Sequence, residues 1–205
     1  MIKLSIVIAT FNKWNFTRST LKNLSYLPAD HEIIVVDNAS SDETAQELPI
    51  LVAELNAKED VACQFHYIRN EENLFHSKAC NQGYRMSQGE NVLFLNNDLK
   101  FKSNHMIWTE KVLNGIQKAG DAIVGPTMGQ LDNKLDFVQE LADQLTGKSY
   151  VGGWCVAASR KVWDKLDVDG TGQVWNEAFP FYFNDTDLSF RARKLGIEPT
   201  FCPVS

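Results

Sequence analysis

Through the first half of the chain, short apolar runs rich in Ile and Val alternate with longer amphipathic stretches, the pattern of repeated βα units around a mostly parallel sheet. Leu4–Ala9 (LSIVIA) reads as the first buried strand and Trp14–Leu27 as the first helix, closed by Pro28. Ile33–Val36 is the second strand, running into Asp37, Asn38, Ala39, Ser40 and Ser41 before a helix from Asp42 to Asn56. Ser40 and Glu43 have the spacing of a capping box for that helix, and Pro49 predicts a kink or interruption inside it. Gln64–Arg69, Ser77–Ser87 and Asn91–Leu95 continue as strand, helix and strand, the last stopping at Asn96, Asn97 and Asp98.

Beyond Asp98 the pattern loosens. Asn104–Ala119 reads as a helix, Ala122–Val124 as a strand, and 125–146 as irregular chain or a short hairpin. Val151–Ala158 (VGGWCVAA) predicts a strand opened by two glycines, and Ser159 caps a helix ending near Leu166. A glycine-containing loop, Asp169–Gly172, leads into the aromatic stretch Trp175–Phe183, and a last helix from about Asp185 to Leu195 is stopped by Gly196. No segment repeats and none is of low complexity.

A length of 205 residues suits one such α/β domain with a full hydrophobic core. Lys and Arg number 20 against 26 Asp and Glu, a formal charge of −6 with no basic block, which argues against a nucleic-acid partner. A small phosphorylated ligand stays open, because a metal ion or a helix N-terminus can offset phosphate charge in an acidic protein. Cys63, Cys80, Cys155 and Cys202 lack the short spacing of a zinc or redox motif and read as reduced core residues of a cytoplasmic protein. Apolar runs such as Ile33–Val36 and Val92–Leu95 are too short to span a membrane, and the N-terminus has no signal-peptide pattern.

Ligands of open α/β sheets collect outside the carboxyl ends of the strands. Three of the predicted strand ends are polar there: Thr10-Phe11-Asn12, Asp37-Asn38 and Asn96-Asn97-Asp98. A dinucleotide-binding turn would need Gly-x-Gly-x-x-Gly after the first strand, whereas positions 9–14 read Ala-Thr-Phe-Asn-Lys-Trp. Nicotinamide and flavin enzymes of that type are excluded, and so is a Walker phosphate loop, since no Gly-x-x-x-x-Gly-Lys occurs.

Four blocks then appear in order: Leu4–Asn12 (LSIVIATFN), Val35–Asp42 (VVDNASSD), Asn73–Gly83 followed by Leu93–Asp98 (LFLNND), and Phe181–Arg191 (FYFNDTDLSFR). Spanning nearly the whole chain, they resemble the family 2 glycosyltransferases of the GT-A fold. The resemblance implies a GT-A domain over 1–205, with 1–98 as nucleotide-binding half and 99–205 as acceptor-binding half. It implies metal-dependent, inverting transfer of a sugar from a UDP-, dTDP- or GDP-linked donor to a hydroxyl of a glycan or glycoprotein.

Residue by residue, the resemblance puts Asp37 on the nucleotide base, with Thr10, Asn12 and Asn38 beside the nucleoside; a turn or cap role is the plainer alternative for Asp37. Asn96-Asn97-Asp98 takes the place of the family's Asp-x-Asp, leaving Asn96 for a ribose hydroxyl and Asp98 as the carboxylate for Mn²⁺ or Mg²⁺. The Leu-Asn-x-Asp variant resembles the rhamnosyltransferase-like branch. Asn184–Leu188 matches the Glu-Asp-x-Asp-Leu block, which makes Asp185 the candidate general base and leaves Asp187 for the first helical turn. Gly152-Gly153-Trp154 resembles the stretch lining the sugar and acceptor pocket, although Trp154 also suits a core.

Trp175, Phe179, Phe181, Tyr182 and Phe183 form either an acceptor lip or the packing of a long loop. Lys78 and Arg191 reach for the diphosphate or lie on solvated helix faces. The chain departs from the family at Asn184, where Glu is usual, and at Phe75, which stands at the glycine of Asn-x-Gly. Asn96 and Asn184 therefore keep a second class open, a non-catalytic sugar-nucleotide-binding domain. A nucleotidyltransferase would need a Gly-, Lys- and Arg-rich loop after the first strand, and none is present. Because the family pattern continues past the last strand, often with a metal-completing histidine, the chain reads as the catalytic core of a longer protein. Its resemblance extends to the leading domain of a larger viral glycosyltransferase, which implies a host cytoplasm.

Overall fold

The strand–helix alternation persists through the structure, a computed structural model that describes residues 1–99, 105–132, 134, 137–141 and 148–203. Its first half contains β1 (Leu4–Thr10), α1 (Trp14–Leu24), β2 (His31–Asp37), α2 (Thr44–Ala57), β3 (Gln64–Arg69), α3 (Phe75–Met86) and β4 (Asn91–Leu95). There follow α4 (His105–Ala119), β5 (Ala122–Gly125), β6 (Met128–Leu131), β7 (Phe137–Leu141) and β8 (Ser149–Val151). The chain continues with β9 (Cys155–Ser159), α5 (Arg160–Leu166), α6 (Asn184–Lys194) and β10 (Glu198–Phe201).

Seven strands form one sheet in the order β10-β5-β9-β4-β1-β2-β3, with only β9 antiparallel to its neighbours. Parallel strands covered on both faces need apolar residues at every position, and β1 and β2 have them. Leu4, Ile6, Ile8, Ile33 and Val35 pack toward α1, α2 and α4, whereas Val7, Ile34 and Val36 pack toward α3, α5 and α6. A second sheet, β7-β6-β8, pairs β6 with β7 as a hairpin, the second of the two readings of 125–146, although part of that segment lies outside the described residues.

Three expectations are corrected, and one strand was not foreseen. The predicted strand 151–158 is two strands in two sheets: Gly152, Gly153 and Trp154 are the turn between β8 and β9, so the glycines separate strands and do not open one. Pro49 does not interrupt its helix, which runs unbroken from Thr44 to Ala57. Losing one helical hydrogen bond to proline costs roughly 3 kcal/mol, but Leu48, Leu51, Val52 and Leu55 are all buried at roughly 1.5–3 kcal/mol each, and burial wins. The capping box is absent, because a tertiary bond claims the Ser40 hydroxyl and the helix starts later, at Thr44. Ser40 Oγ accepts the Asn12 N–H at 2.7 Å, and Asp42 caps Thr44 at 2.9 Å. Finally β10, only four residues with Pro199 inside, was not expected; it lies at the sheet edge beside β5.

Candidate active site

The register brings the three polar strand ends together. Thr10 sits opposite Asp37 across β1 and β2, and β4 delivers Asn96, Asn97 and Asp98 beside them. The antiparallel β9 starts at this same edge, with Cys155 opposite Leu95, so the Gly152–Trp154 turn and the strand ends share one rim. The Asn96 N–H donates to the Trp154 carbonyl at 2.9 Å.

On the β1–β2 side nearly every candidate side chain is bonded within the protein. Asp37 is fully buried; Oδ1 accepts the Ser40 N–H at 2.9 Å, while Oδ2 meets the Tyr67 hydroxyl at 3.3 Å and the Arg69 guanidinium. Asn38 uses all four of its hydrogen-bonding positions: its amide donates to Asn73 Oδ1 and the Phe75 carbonyl, and its oxygen accepts from Asn70 and the Leu74 N–H. Thr10 and Thr17 hydroxyls lie 2.8 Å apart, and the Asn97 amide donates to both. Asn12 Oδ1 accepts the N–H groups of Ser41 and Asp42.

The backbone of this rim is strained. All the non-glycine residues with positive φ among those described are here or at the rim opposite: Asn12, Lys13, Ala39, Phe75 and Phe183. Left-handed geometry in a bulky residue costs about 1–3 kcal/mol and tends to mark functional segments. Phe75, φ 61°, takes the conformation that glycine favours, which accounts for the glycine it replaces in the related pattern. Its ring stays exposed.

Toward α6 the arrangement opens into a cavity of about 360 Å³ whose lining includes His76, Asn96, Gly153, Trp154, Asn184 and Asp185. Asp185 is the one carboxylate lining it among the described residues. Its Oδ2 accepts the Gly153 N–H at 3.1 Å and its Oδ1 the Thr186 N–H at 2.8 Å. A Cβ on Gly153 would stand 3.1 Å from the Asp185 Cβ, so glycine is what lets the carboxylate approach the backbone. Burial pushes the Asp185 carboxyl above the usual carboxylate range, against the pull of the Gly153 and Thr186 N–H groups. Trp154 is a half-buried wall, its indole N–H fixed on Thr127 Oγ1 at 2.8 Å.

Most of the other candidates fall outside the cavity. Asp187 pairs with Arg191 at 2.7 Å, and Arg191 also donates to the carbonyls of Leu166 and Val174, so both are structural. The aromatic stretch divides: Trp175 is fully buried, while Phe181 and Tyr182 are 56% and 75% exposed, Phe181 lining the cavity. A larger groove of about 770 Å³ near Lys3, Glu90 and Asn91 lies at the amino ends of the strands, the wrong edge for a ligand of this fold.

His76 lies in the Asn73–His76 segment, to which the sequence pattern assigns no contact. It follows the left-handed Phe75, lines the cavity, and accepts from the Asn184 amide across 3.2 Å. Burial lowers its pKa to about 4, so the ring is neutral at physiological pH.

Among the described residues no three His, Cys, Asp or Glu side chains cluster as a metal site. The donor set nevertheless fits a hard divalent cation that borrows diphosphate oxygens: Asp98 is exposed, and no described residue pairs with its carboxylate. No helix among the described residues is long and apolar enough to cross a membrane.

A profile of the family described as Glycosyl transferase family 2 matches residues 5–159. The low-salt glycan biosynthesis hexosyltransferase Agl10 of Haloferax volcanii is 26% identical over 98% of this chain and 65% of its own length. Among solved structures, a Pyrobaculum calidifontis mannosyltransferase in complex with GDP-Man and Mn²⁺ superposes with a TM-score of 0.69 at 18% identity, over 98% of this chain and 55% of that one. S. aureus TarS 1–349 in complex with UDP gives 0.63 at 18% identity, over 94% and 54%. The chain thus spans about 55–65% of the length of these relatives.

Proposed function

The chain belongs to glycosyl transferase family 2, and from that premise we propose that it transfers a sugar, with inversion, from a nucleoside-diphosphate sugar to a glycan hydroxyl in the cavity beside Asp185. The observation that carries this reading is a partly buried carboxylate of raised pKa, fixed by two backbone N–H groups at the carboxyl edge of the sheet. Residues 1–98 hold the donor nucleotide and 99–205 face the acceptor.

Asp185 accepts the proton of the acceptor hydroxyl while that oxygen attacks the anomeric carbon from the face opposite the diphosphate. The new C–O bond forms as the bond to the diphosphate breaks, and the diphosphate leaves with the electron pair. A raised carboxyl pKa brings the base nearer to working pH, and such a base contributes on the order of 10² to 10⁴ in rate. Trp154 offers an apolar wall to the sugar ring, and Asn96 a polar contact on the donor side. Asp37, with Tyr67 and Arg69 bonded to it, forms the floor under the nucleotide base, beside Thr10, Asn12, Asn38 and Asn97. Asp98 would hold Mn²⁺ or Mg²⁺ together with the donor's diphosphate, and the ion would supply Lewis-acid stabilisation of the leaving group.

The names of the relatives, a hexosyltransferase of glycan biosynthesis and a mannosyltransferase solved with GDP-Man and Mn²⁺, support a hexosyl donor and a glycan acceptor. The Leu95–Asp98 variant makes dTDP-linked rhamnose one of the donors to screen. Four buried free thiols suit a reducing cytoplasm. The test is a thermal-shift and nucleotide-release screen of UDP-, GDP- and dTDP-sugars with and without Mn²⁺. One donor should raise the melting temperature and release nucleotide. Stabilisation without release under any condition would mean a sugar-nucleotide-binding domain instead.

A further inference from the structure

The chain's departure from the family at position 184 has a structural counterpart in His76. A backbone N–H can only donate, so the 2.9 Å contact from the Asp185 N–H fixes the Asn184 side-chain oxygen toward Asp185. The Asn184 amide nitrogen then faces His76 Nδ1 at 3.2 Å and Ser77 Oγ at 3.5 Å. His76 Nδ1 is therefore the acceptor, and the ring proton is on Nε2. The loop before α6 is tied to the same turn of α3: the Ser77 N–H donates to the Pro180 carbonyl at 3.1 Å and its hydroxyl to the Phe179 carbonyl at 2.6 Å. Phe183, the N-cap residue of α6, is left-handed and makes no side-chain cap bond, so the first-turn N–H groups of Asp185 and Thr186 donate to the side chains of Asn184 and Asp185.

We propose that His76 is a positioning residue for transfer: as a neutral hydrogen-bond acceptor it orients the Asn184 amide, which in turn holds the backbone of Asp185 with its carboxylate against Gly153. The assignment rests on the reading of Asp185 as the base. It also explains Asn184. An Nδ1 acceptor matches an amide donor, whereas a carboxylate at 184 would need the ring proton on Nδ1, by a change of tautomer or by protonation. The ring is poorly placed to take up a second proton. It packs edge-on against Trp175 at 5.5 Å, the Cys80 sulfur is 3.6 and 3.7 Å from its nitrogens, and burial keeps that thiol un-ionised. Among the described residues, the one charged group sharing its cavity is Asp185.

Two substitutions separate positioning from packing. His76→Phe keeps the ring and removes the acceptor, whereas His76→Asn keeps an acceptor near the position of Nδ1. With water as acceptor and UDP-, GDP- and dTDP-hexoses as probes, H76F should lower kcat for nucleotide release by about 10- to 100-fold, with donor KM within about two-fold of the parent, while H76N stays near the parent rate. Equal loss in both folded variants, or no loss in H76F, overturns the proposal. A ligand-free measurement tests the pairing itself. The ¹⁵N resonances of His76 should report an unprotonated Nδ1, and Asn184→Asp should raise the ring's titration midpoint by about one unit or more. An unchanged midpoint would show that the ring does not face residue 184. Asp185→Asn serves as control: if it releases nucleotide at the parent rate, the base assignment fails, and the resonance experiment still decides the pairing.

Discussion

The two sides of the site are built in opposite ways. Around β1 and β2, Thr10, Asn12, Asp37, Asn38 and Asn97 are joined in a network that leaves their polar atoms largely engaged with one another, on a backbone forced into left-handed turns. Around α6, Asp185, Asn184 and His76 line open space, and the bonds they make set direction without filling the cavity. A network fully satisfied before ligand arrives is rigid, and it suits the recognition of a constant group such as a nucleotide. Chemistry needs a carboxylate that is held but still accessible to a proton.

The contrast can be broken variant by variant. The largest change in stability is expected from Asp37→Ala, which strips the Ser40 N–H, the Tyr67 hydroxyl and the Arg69 guanidinium of their shared acceptor. Because Arg69 is partly exposed, the loss should be near 2–3 kcal/mol and not the full penalty of a buried orphan charge, lowering the melting temperature by roughly 4–12 °C. A shift under 2 °C would mean that the network is no frame. Asp98→Ala should leave stability within about 0.5 kcal/mol, as exposed substitutions do, yet abolish the Mn²⁺ dependence of donor affinity in calorimetry. Unchanged dependence would remove Asp98 from the metal site.

Protonation gives a third probe. The folded pKa of Asp185 lies above its unfolded value, so its favourable contribution to stability is present below the ordinary carboxylate range and lost as pH rises through the folded pKa. That same rise ionises the base, so kcat/KM should climb with pH along a limb lying above about 3.9, the ordinary value for Asp. A profile flat down to pH 4 would argue against it. The smallest effect is expected at Phe75→Gly. Relief of a left-handed phenylalanine, worth about 1–2 kcal/mol, is offset by roughly 0.5–1 kcal/mol of added chain entropy, and chemical denaturation should show a net gain of up to about 1.5 kcal/mol.

The same division governs what could be read from the sequence. Buried parallel strands need unbroken apolar runs, so Leu4–Ala9 and Asn91–Leu95 announced themselves, and the polar residues after them located the rim. What escaped depended on distant partners. Ser40 looked like a helix cap, but Asn12 lies beside it only in the folded chain. Gly152 and Gly153 looked like a strand opening, and their role as a turn follows from Thr127 and Asp185 closing in on them. β10 is four residues at a sheet edge, too short for periodicity to register. His76 carries no local signature, since its significance lies in Asn184, 108 positions away.

The central claim is that the open side does chemistry and the closed side does not. It is tested most directly by single-turnover nucleotide release from Asp185→Asn saturated with donor. The account predicts a rate lower by about 10² to 10⁴ with donor affinity unchanged. A rate within a few-fold of the parent chain would contradict it.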